Sequence, residues 1–238
     1  VSGEAAQADL IPYSTQKQYL QDYAGFPAYD QTEVQYYSPG ELFWAPFLGE
    51  LQKSQSYIFM EYFILDSVLL WDSVSEILIE KASKGVEVRI IYDDIWCFLT
   101  LPSNFAKQLE QHGIKCVAFN PFRPFLSTSQ NNRDHRKITS IDGKVAFTGG
   151  LNLADEYVNQ YEKHGYWKDC AVKVDGKAAW SLTLMFLEMW ELCCQTHECF
   201  ADFYHADGYP QRRDACGYVQ PYADSPMDDE NVCENVYM

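Results

Sequence analysis

The sequence places a histidine, a lysine, an asparagine and two glycines within one short stretch, residue types that could supply a nucleophile, a cation, an amide donor and close backbone approach. In Asn132-Arg133-Asp134-His135-Arg136-Lys137, His135 and Lys137 stand two apart, and Asp142, Gly149-Gly150 and Asn152 follow. Side chains two apart on a strand share a face, so His135 and Lys137 are expected in one pocket while Arg136 points away. A nucleophile and a cation can then meet one phosphate. Attack on an anionic diester is opposed by charge. The Lys137 ammonium and the Asn152 amide would bind the phosphoryl oxygens and offset charge developing in the transition state. Loss of either donor is expected to reduce the rate roughly 100-fold or more.

Other residues of the pattern have simpler uses. Asp142 precedes Gly143, and Asp-Gly is the strongest short signal for a two-residue hairpin turn, so its role is mostly structural. Gly149 and Gly150 suit close approach of backbone to a phosphate and tight packing at a strand end equally well. Asp155 and Glu156 follow Asn152 so closely that capping or starting a helix is their simpler use. Cys193, Cys194, His197 and Cys199 are the tightest cluster of metal-ligating types, but they lack a second Cys-x-x-Cys arm and end an apolar helix, which favours structural thiols.

The elements that must position these residues alternate. Leu42, Phe43, Phe47, Leu48 and Leu51 follow helical spacing, with Pro46 expected to start or kink that helix. The run from Tyr57 to Ile64 suits a buried strand. A helix through Trp71, Val74, Leu78 and Ala82 should close at Gly85 before a strand from Val86 to Tyr92. Ser103 is placed to cap a helix ending near Gly113, ahead of a strand from Ile114 to Phe119. Strands from His135 to Ile141 and from Lys144 to Thr148 flank the Asp142 turn, and Val172 to Val174 adds another. The apolar run from Ala178 to Cys194 reads as a buried helix. This alternation predicts an α/β fold with a mixed or largely parallel sheet. Residues 1–37 read as an extended lead-in, 38–197 as the ordered body and 198–238 as a polar linker.

Composition narrows the partners. The 238 residues carry a formal charge of -16, whereas proteins that grip nucleic acid usually present a basic stripe, so nucleic acid is disfavoured. Eight irregularly spaced cysteines read as reduced thiols rather than a disulfide framework. No apolar run approaches the roughly 18 to 20 residues that cross a bilayer.

The full pattern, His-x-Lys, four residues, Asp, six residues, Gly-Gly, one residue and Asn, resembles the signature of the phospholipase D superfamily. Arg133-Asp134-His135-Arg136-Lys137, Asn152-Leu153-Ala154-Asp155-Glu156-Tyr157 and Gly165-Tyr166-Trp167-Lys168-Asp169 resemble more narrowly the first catalytic half of bacterial cardiolipin synthases. Phe59-Met60-Glu61-Tyr62-Phe63-Ile64 and Val88-Arg89-Ile90-Ile91-Tyr92-Asp93 do likewise. The resemblance implies an α-β-α sandwich and covalent catalysis through a phosphohistidine, with a second His protonating the leaving alcohol. It makes Asp169 the candidate carboxylate that orients His135 and implies no metal or organic cofactor.

The implied reaction of the intact enzyme joins two phosphatidylglycerol molecules into cardiolipin, at the cytoplasmic face of the bacterial membrane. The membrane helices and the second His motif are missing from these residues, so the chain is expected to be a fragment. Its implied partners are anionic phospholipid, a membrane surface, and either the second half or a second copy as a homodimer. The apolar loop Phe122-Arg123-Pro124-Phe125-Leu126 could sit at a lipid interface or simply pack. The competing expectations are a homodimeric nuclease or hydrolase and an inactive half.

Overall fold

The computed structural model describes residues 14–66, 69–121, 133–163, 165–205, 209, 215–224 and 231–238. Seven strands form one mixed sheet. They are β1 (Thr32–Tyr37), β2 (Tyr57–Tyr62), β3 (Glu87–Asp93), β4 (Lys115–Phe119), β5 (Lys137–Ile141), β6 (Val145–Gly149) and β7 (Ala171–Gly176), in the order β1-β7-β6-β5-β2-β3-β4. The β2, β3 and β4 strands run parallel; the other pairings are antiparallel. Helix α1 (Glu41–Lys53) precedes β2, and α2 (Leu69–Ser83) makes the crossover to β3. The short α3 (Asp94–Cys97) and α4 (Phe105–Glu110) lie between β3 and β4, α5 (Ala179–Cys194) follows β7, and α6 (Val232–Tyr237) lies near the end of the chain.

Helices cover both faces of the sheet. Every residue of β2 is buried, as a central strand covered on both sides requires. Its Ile58 and Met60 join Phe47, Leu51, Val74 and Leu78 in the core beneath α1 and α2. On the other face Phe59 packs with Phe186, Leu187 and Trp190 of α5. This is the α/β sandwich with a mixed central sheet that the alternation and the resemblance both indicated.

Local expectations hold with small shifts. Gly85 and Gly113 take positive φ just beyond α2 and α4. Pro46 lies inside α1 rather than at its start. Asn104, not Ser103, precedes α4, and it makes no side-chain cap. Strand β5 begins at Lys137, leaving His135 in the segment that leads into it.

The folded unit extends beyond residues 38–197 on both sides. β1 starts at Thr32 and pairs with β7 along its length, Val34 opposite Val174, because its backbone completes the sheet edge. On the C-terminal side the Glu198 carboxylate accepts from Arg89 Nη1 at 2.7 Å, and Arg89 also lies over the Phe59, Trp190 and Phe203 rings. Arg89 is buried within a strand, so its charge needs that partner. Val219 exchanges backbone hydrogen bonds with Tyr29 at 2.8 and 2.9 Å, and Val232 is buried.

Asp142 and Gly143 both have positive φ, 53° and 65°, as a type I′ hairpin turn demands. The Asp142 carboxylate accepts from the backbone N–H groups of Gln55, Ser56 and Tyr57 at 2.9, 2.8 and 2.8 Å, and from Ser54 Oγ at 3.2 Å. It thereby ties the hairpin to the loop that launches β2. Asp142→Ala should reduce stability by about 3 kcal/mol by orphaning these donors. Denaturant unfolding checks this, and a loss of a few tenths would remove the anchoring role.

Candidate active site

The site sits where β2 ends and β5 begins. Antiparallel register sets Tyr62 opposite Lys137, so Phe63, one residue beyond β2, comes against the segment bearing His135. The Phe63 and His135 ring centroids lie 4.5 Å apart, and Lys137 Nζ stands 4.8 Å from the Phe63 ring centre. Lys137 Nζ also donates to the His135 backbone carbonyl at 2.5 Å. The histidine and lysine expected to share a pocket therefore meet on one aromatic ring. His135 is exposed, whereas Lys137 is only 4% exposed.

That difference in burial sets their charge states. Burial lowers the His135 pKa from its ordinary value, Lys137 lowers it further, and Asp134 opposes, a balance that favours the uncharged imidazole. Burial also pushes the Lys137 ammonium down to about 8, against the fields of Asp134 and Asp169. Below that pH the lysine is mainly a cation, while the lowered His135 value favours the uncharged imidazole near neutrality.

Asn152 is buried, and its Oδ1 accepts from the Ile64 backbone N–H at 2.9 Å. This leaves the NH₂ as its donor end and seats it one residue from Phe63 at the same strand exit. The Asn152 amide also lies against the Tyr157 hydroxyl. Gly149, at φ +150°, would bring a Cβ to 2.6 Å from the Cys170 carbonyl, and a Cβ on Gly150 would collide with the Asp169 carboxylate. Close packing therefore explains both glycines, although Gly149 also lines the cavity described below.

Two expected site residues are placed differently. Asp142 lies at the far end of β5, about 16 Å from Lys137 along the strand, and serves the anchor described above. The Asp169 carboxylate accepts from Trp167 Nε1 at 3.2 Å and from the Cys170 N–H at 2.7 Å. Among the described residues no hydrogen bond joins it to His135, whose ring packs on Phe63 instead. Asp155 accepts from the Leu70 N–H at 2.9 Å at the start of α2, and Glu156 pairs with Lys163 at 3.0 Å. Asn132 and the loop from Phe122 to Leu126 lie outside the described residues.

Sequence reasoning missed Phe63, Asp93 and Glu61 as supports of the site. For the two acids the signal was a polar residue inside an apolar strand, since Glu61 interrupts β2 and Asp93 ends β3, each fully buried; Phe63 carried no such signal. Arg136 points away from Lys137, as expected, and its Nε donates to Glu61 Oε1 at 2.6 Å. A cavity of about 400 Å³ opens beside the site, walled by His135, Arg136 and Thr148 at one end, Leu182 and Met185 of α5, and Tyr222 from the C-terminal segment. Its size is that of an ordinary small-molecule site.

The lowered lysine has a consequence for stability. Between about pH 8 and the ordinary lysine value, the unfolded chain holds the Lys137 proton that the folded chain has released, so stability should rise with pH across that window. Lys137→Met should abolish the rise and leave the protein at least as stable at pH 7. Thermal melts at stepped pH test this, and identical pH slopes in the two proteins would refute the desolvated ammonium.

The sequence matches the family described as "Cardiolipin synthase, PLD-like domain" over residues 47–182. Among curated proteins, it is 48% identical over 221 residues to an uncharacterized protein of Streptococcus mutans, covering 93% of this chain and 47% of that protein. It is 32% identical over 224 residues to cardiolipin synthase 1 of Bacillus cereus, covering 92% of this chain and 44% of that enzyme. The chain thus spans less than half the length of these relatives. Among solved structures, phosphatidylserine synthase of Haemophilus influenzae superposes with a TM-score of 0.55 at 14% identity, over 79% of this chain and 45% of that one, which supports the fold. With 136 consecutive residues matched and the His135, Lys137 and Asn152 pattern intact, the chain belongs to the cardiolipin synthase family of phospholipase D-like domains.

Proposed function

We propose that this domain supplies one half of a phosphatidyl-transfer site in which His135 is the nucleophile. The observation that carries the reading is the meeting of the His135 imidazole and the buried Lys137 ammonium on Phe63. An imidazole nitrogen of His135 attacks the phosphorus of phosphatidylglycerol, a P–N bond forms, and the ester bond to the glycerol headgroup breaks. Lys137 and the Asn152 amide hold the phosphoryl oxygens and offset their growing charge. The departing alkoxide takes a proton from a second imidazole, contributed by the second half or by a second copy of this chain. The hydroxyl of another phosphatidylglycerol then attacks phosphorus, giving its proton to the second imidazole, the P–N bond breaks with its electron pair returning to His135, and cardiolipin leaves. Asp169 acts near Lys137, and no cofactor enters any step.

The substrate sits in a membrane, and exposed apolar side chains beside the site support approach to one. Trp96, Phe98 and Leu99 are 53, 69 and 90% exposed, and the Trp96 ring lies 5.2 Å from that of Phe63. A chain of formal charge -16 gains nothing electrostatically from an anionic leaflet, so insertion of such groups is the stronger contribution. The same charge disfavours a nuclease.

Labelled phosphatidylglycerol in detergent micelles tests the proposal, with the chain, its His135→Ala variant and gel filtration run together. Transfer to cardiolipin that is lost in His135→Ala and follows a dimer is the expected result for two copies completing one site. A folded, silent monomer requires the second half to be added. Unchanged transfer by His135→Ala would overturn the assignment. Asn152→Ala should reduce turnover roughly 100-fold through loss of one phosphoryl donor.

A further inference from the structure

Residues 133–136 carry His135 but belong to no strand, so sheet pairing does not hold them. Side chains do. The Asp134 N–H donates to Asp93 Oδ2 at 3.3 Å, and Arg133 Nη1 donates to Asp93 Oδ1 at 3.5 Å and to the Asn120 carbonyl at 3.3 Å. The Arg136 N–H donates to Asp134 Oδ1 at 3.1 Å, and Arg136 Nε to Glu61 Oε1 at 2.6 Å. The segment is thus pinned from β2 by Glu61 and from β3 by Asp93.

The Glu61 and Asp134 side chains are 0 and 2% exposed. Among the described residues Glu61 Oε2 and Asp134 Oδ2 are buried without a donor, and the other oxygens of both carboxyl groups lie against the same Arg136 Nε. Two ionised carboxylates held so close in a dry site disfavour each other's charge. Arg136 is the cation between them, 2.6 Å from Glu61 and 3.5 Å from Asp134. The surroundings add little positive charge: Glu188 and the Cys193 thiol face the group from α5, and Asp93 stands at the end of β3 with Arg133 paired to it. Lys137 and His135 feel Asp134 from the other side of the chain.

We propose that Glu61 and Asp134 share one proton, carried on Glu61 Oε2 and donated to Asp134 Oδ2, and that this acid pair acts as positioning residues for His135. One neutral carboxyl leaves Arg136 matched to a single negative charge and gives both orphaned oxygens a partner. Burial and the neighbouring Asp134 raise the Glu61 pKa well above the usual carboxylate range, in keeping with a retained proton. Because the unfolded chain releases that proton at the ordinary carboxylate value, stability is lost as pH rises from there through the raised Glu61 value. The positioning role rests on His135 being the reacting group of the proposed transfer; the shared proton does not.

The test is a ¹³C NMR titration of the side-chain carboxyls in the folded chain, recorded with the His135 ring resonances, for wild type, Glu61→Gln and Glu61→Ala. One carboxyl should stay protonated at neutral pH in the wild type and vanish from the Glu61→Gln spectrum. Glu61→Gln, which keeps a neutral donor, should retain the wild-type His135 resonances and flatten the loss of stability that begins above the ordinary carboxylate range. Glu61→Ala should shift the His135 resonances and, where transfer is measurable, lower it roughly 100-fold through misplacement of the imidazole. Full ionisation of every carboxyl at neutral pH would overturn the shared proton. A Glu61→Ala protein with unmoved His135 signals would overturn the positioning role. If Glu61→Ala does not fold, Glu61→Gln decides both points: displaced His135 resonances in that variant refute the pair. A silent wild type in the transfer assay counts against the proposed function alone, since the NMR outcomes stand without turnover.

Discussion

Holding the Lys137 ammonium out of water is the constraint on which the rest of the site depends. A desolvated cation is costly unless its surroundings replace the lost hydration. Here the Phe63 ring, the His135 carbonyl and the fields of Asp134 and Asp169 do so. The same arrangement brings the His135 ring onto the other part of Phe63, so the requirement that keeps the lysine charged also sets the distance between the two functional groups. Since Phe63 directly follows β2, that spacing is inherited from the register of β2 against β5.

Strand β5 therefore does different work at its two ends. At its beginning it delivers Lys137 to the site; at its end the Asp142 carboxylate gathers donors from the loop that starts β2. Both ends fix β5 against β2, and a one-residue slip between them would turn Lys137 to the wrong face of the sheet. The apolar cores on either side, built around Phe47 and Phe147 on one face and Phe59 and Phe186 on the other, make such a slip expensive.

Buried acids recur around the segment that carries His135, which is unusual for a chain already so negative. Glu61 and Asp93 reach residues 133–136 from neighbouring strands, and Asp134 lies within the segment itself. Their value is directional: each carboxyl accepts from a particular backbone or guanidinium donor, and together they hold an irregular stretch in one conformation. An apolar floor would be easier to desolvate but would leave those backbone donors without partners.

The sequence by itself determined the class of the sheet, most of its elements and the chemical group at its centre. Period-two and period-three-to-four patterns are local, and so is the spacing that puts His135, Lys137, Gly149, Gly150 and Asn152 in one motif. Asp142 could also be assigned to a turn from its neighbour alone. Only tertiary structure decided that Asp169 bonds to Trp167 and Cys170, that β1 closes one sheet edge and that Glu198 reaches back to Arg89. It also decided that Phe63, Glu61 and Asp93 serve the site. The Asp169 bonds are local, to residues one and two away, but the others depend on contacts between residues far apart in the chain, where a carboxylate or an aromatic ring has many chemically equal partners and only the packing of the sheet selects one.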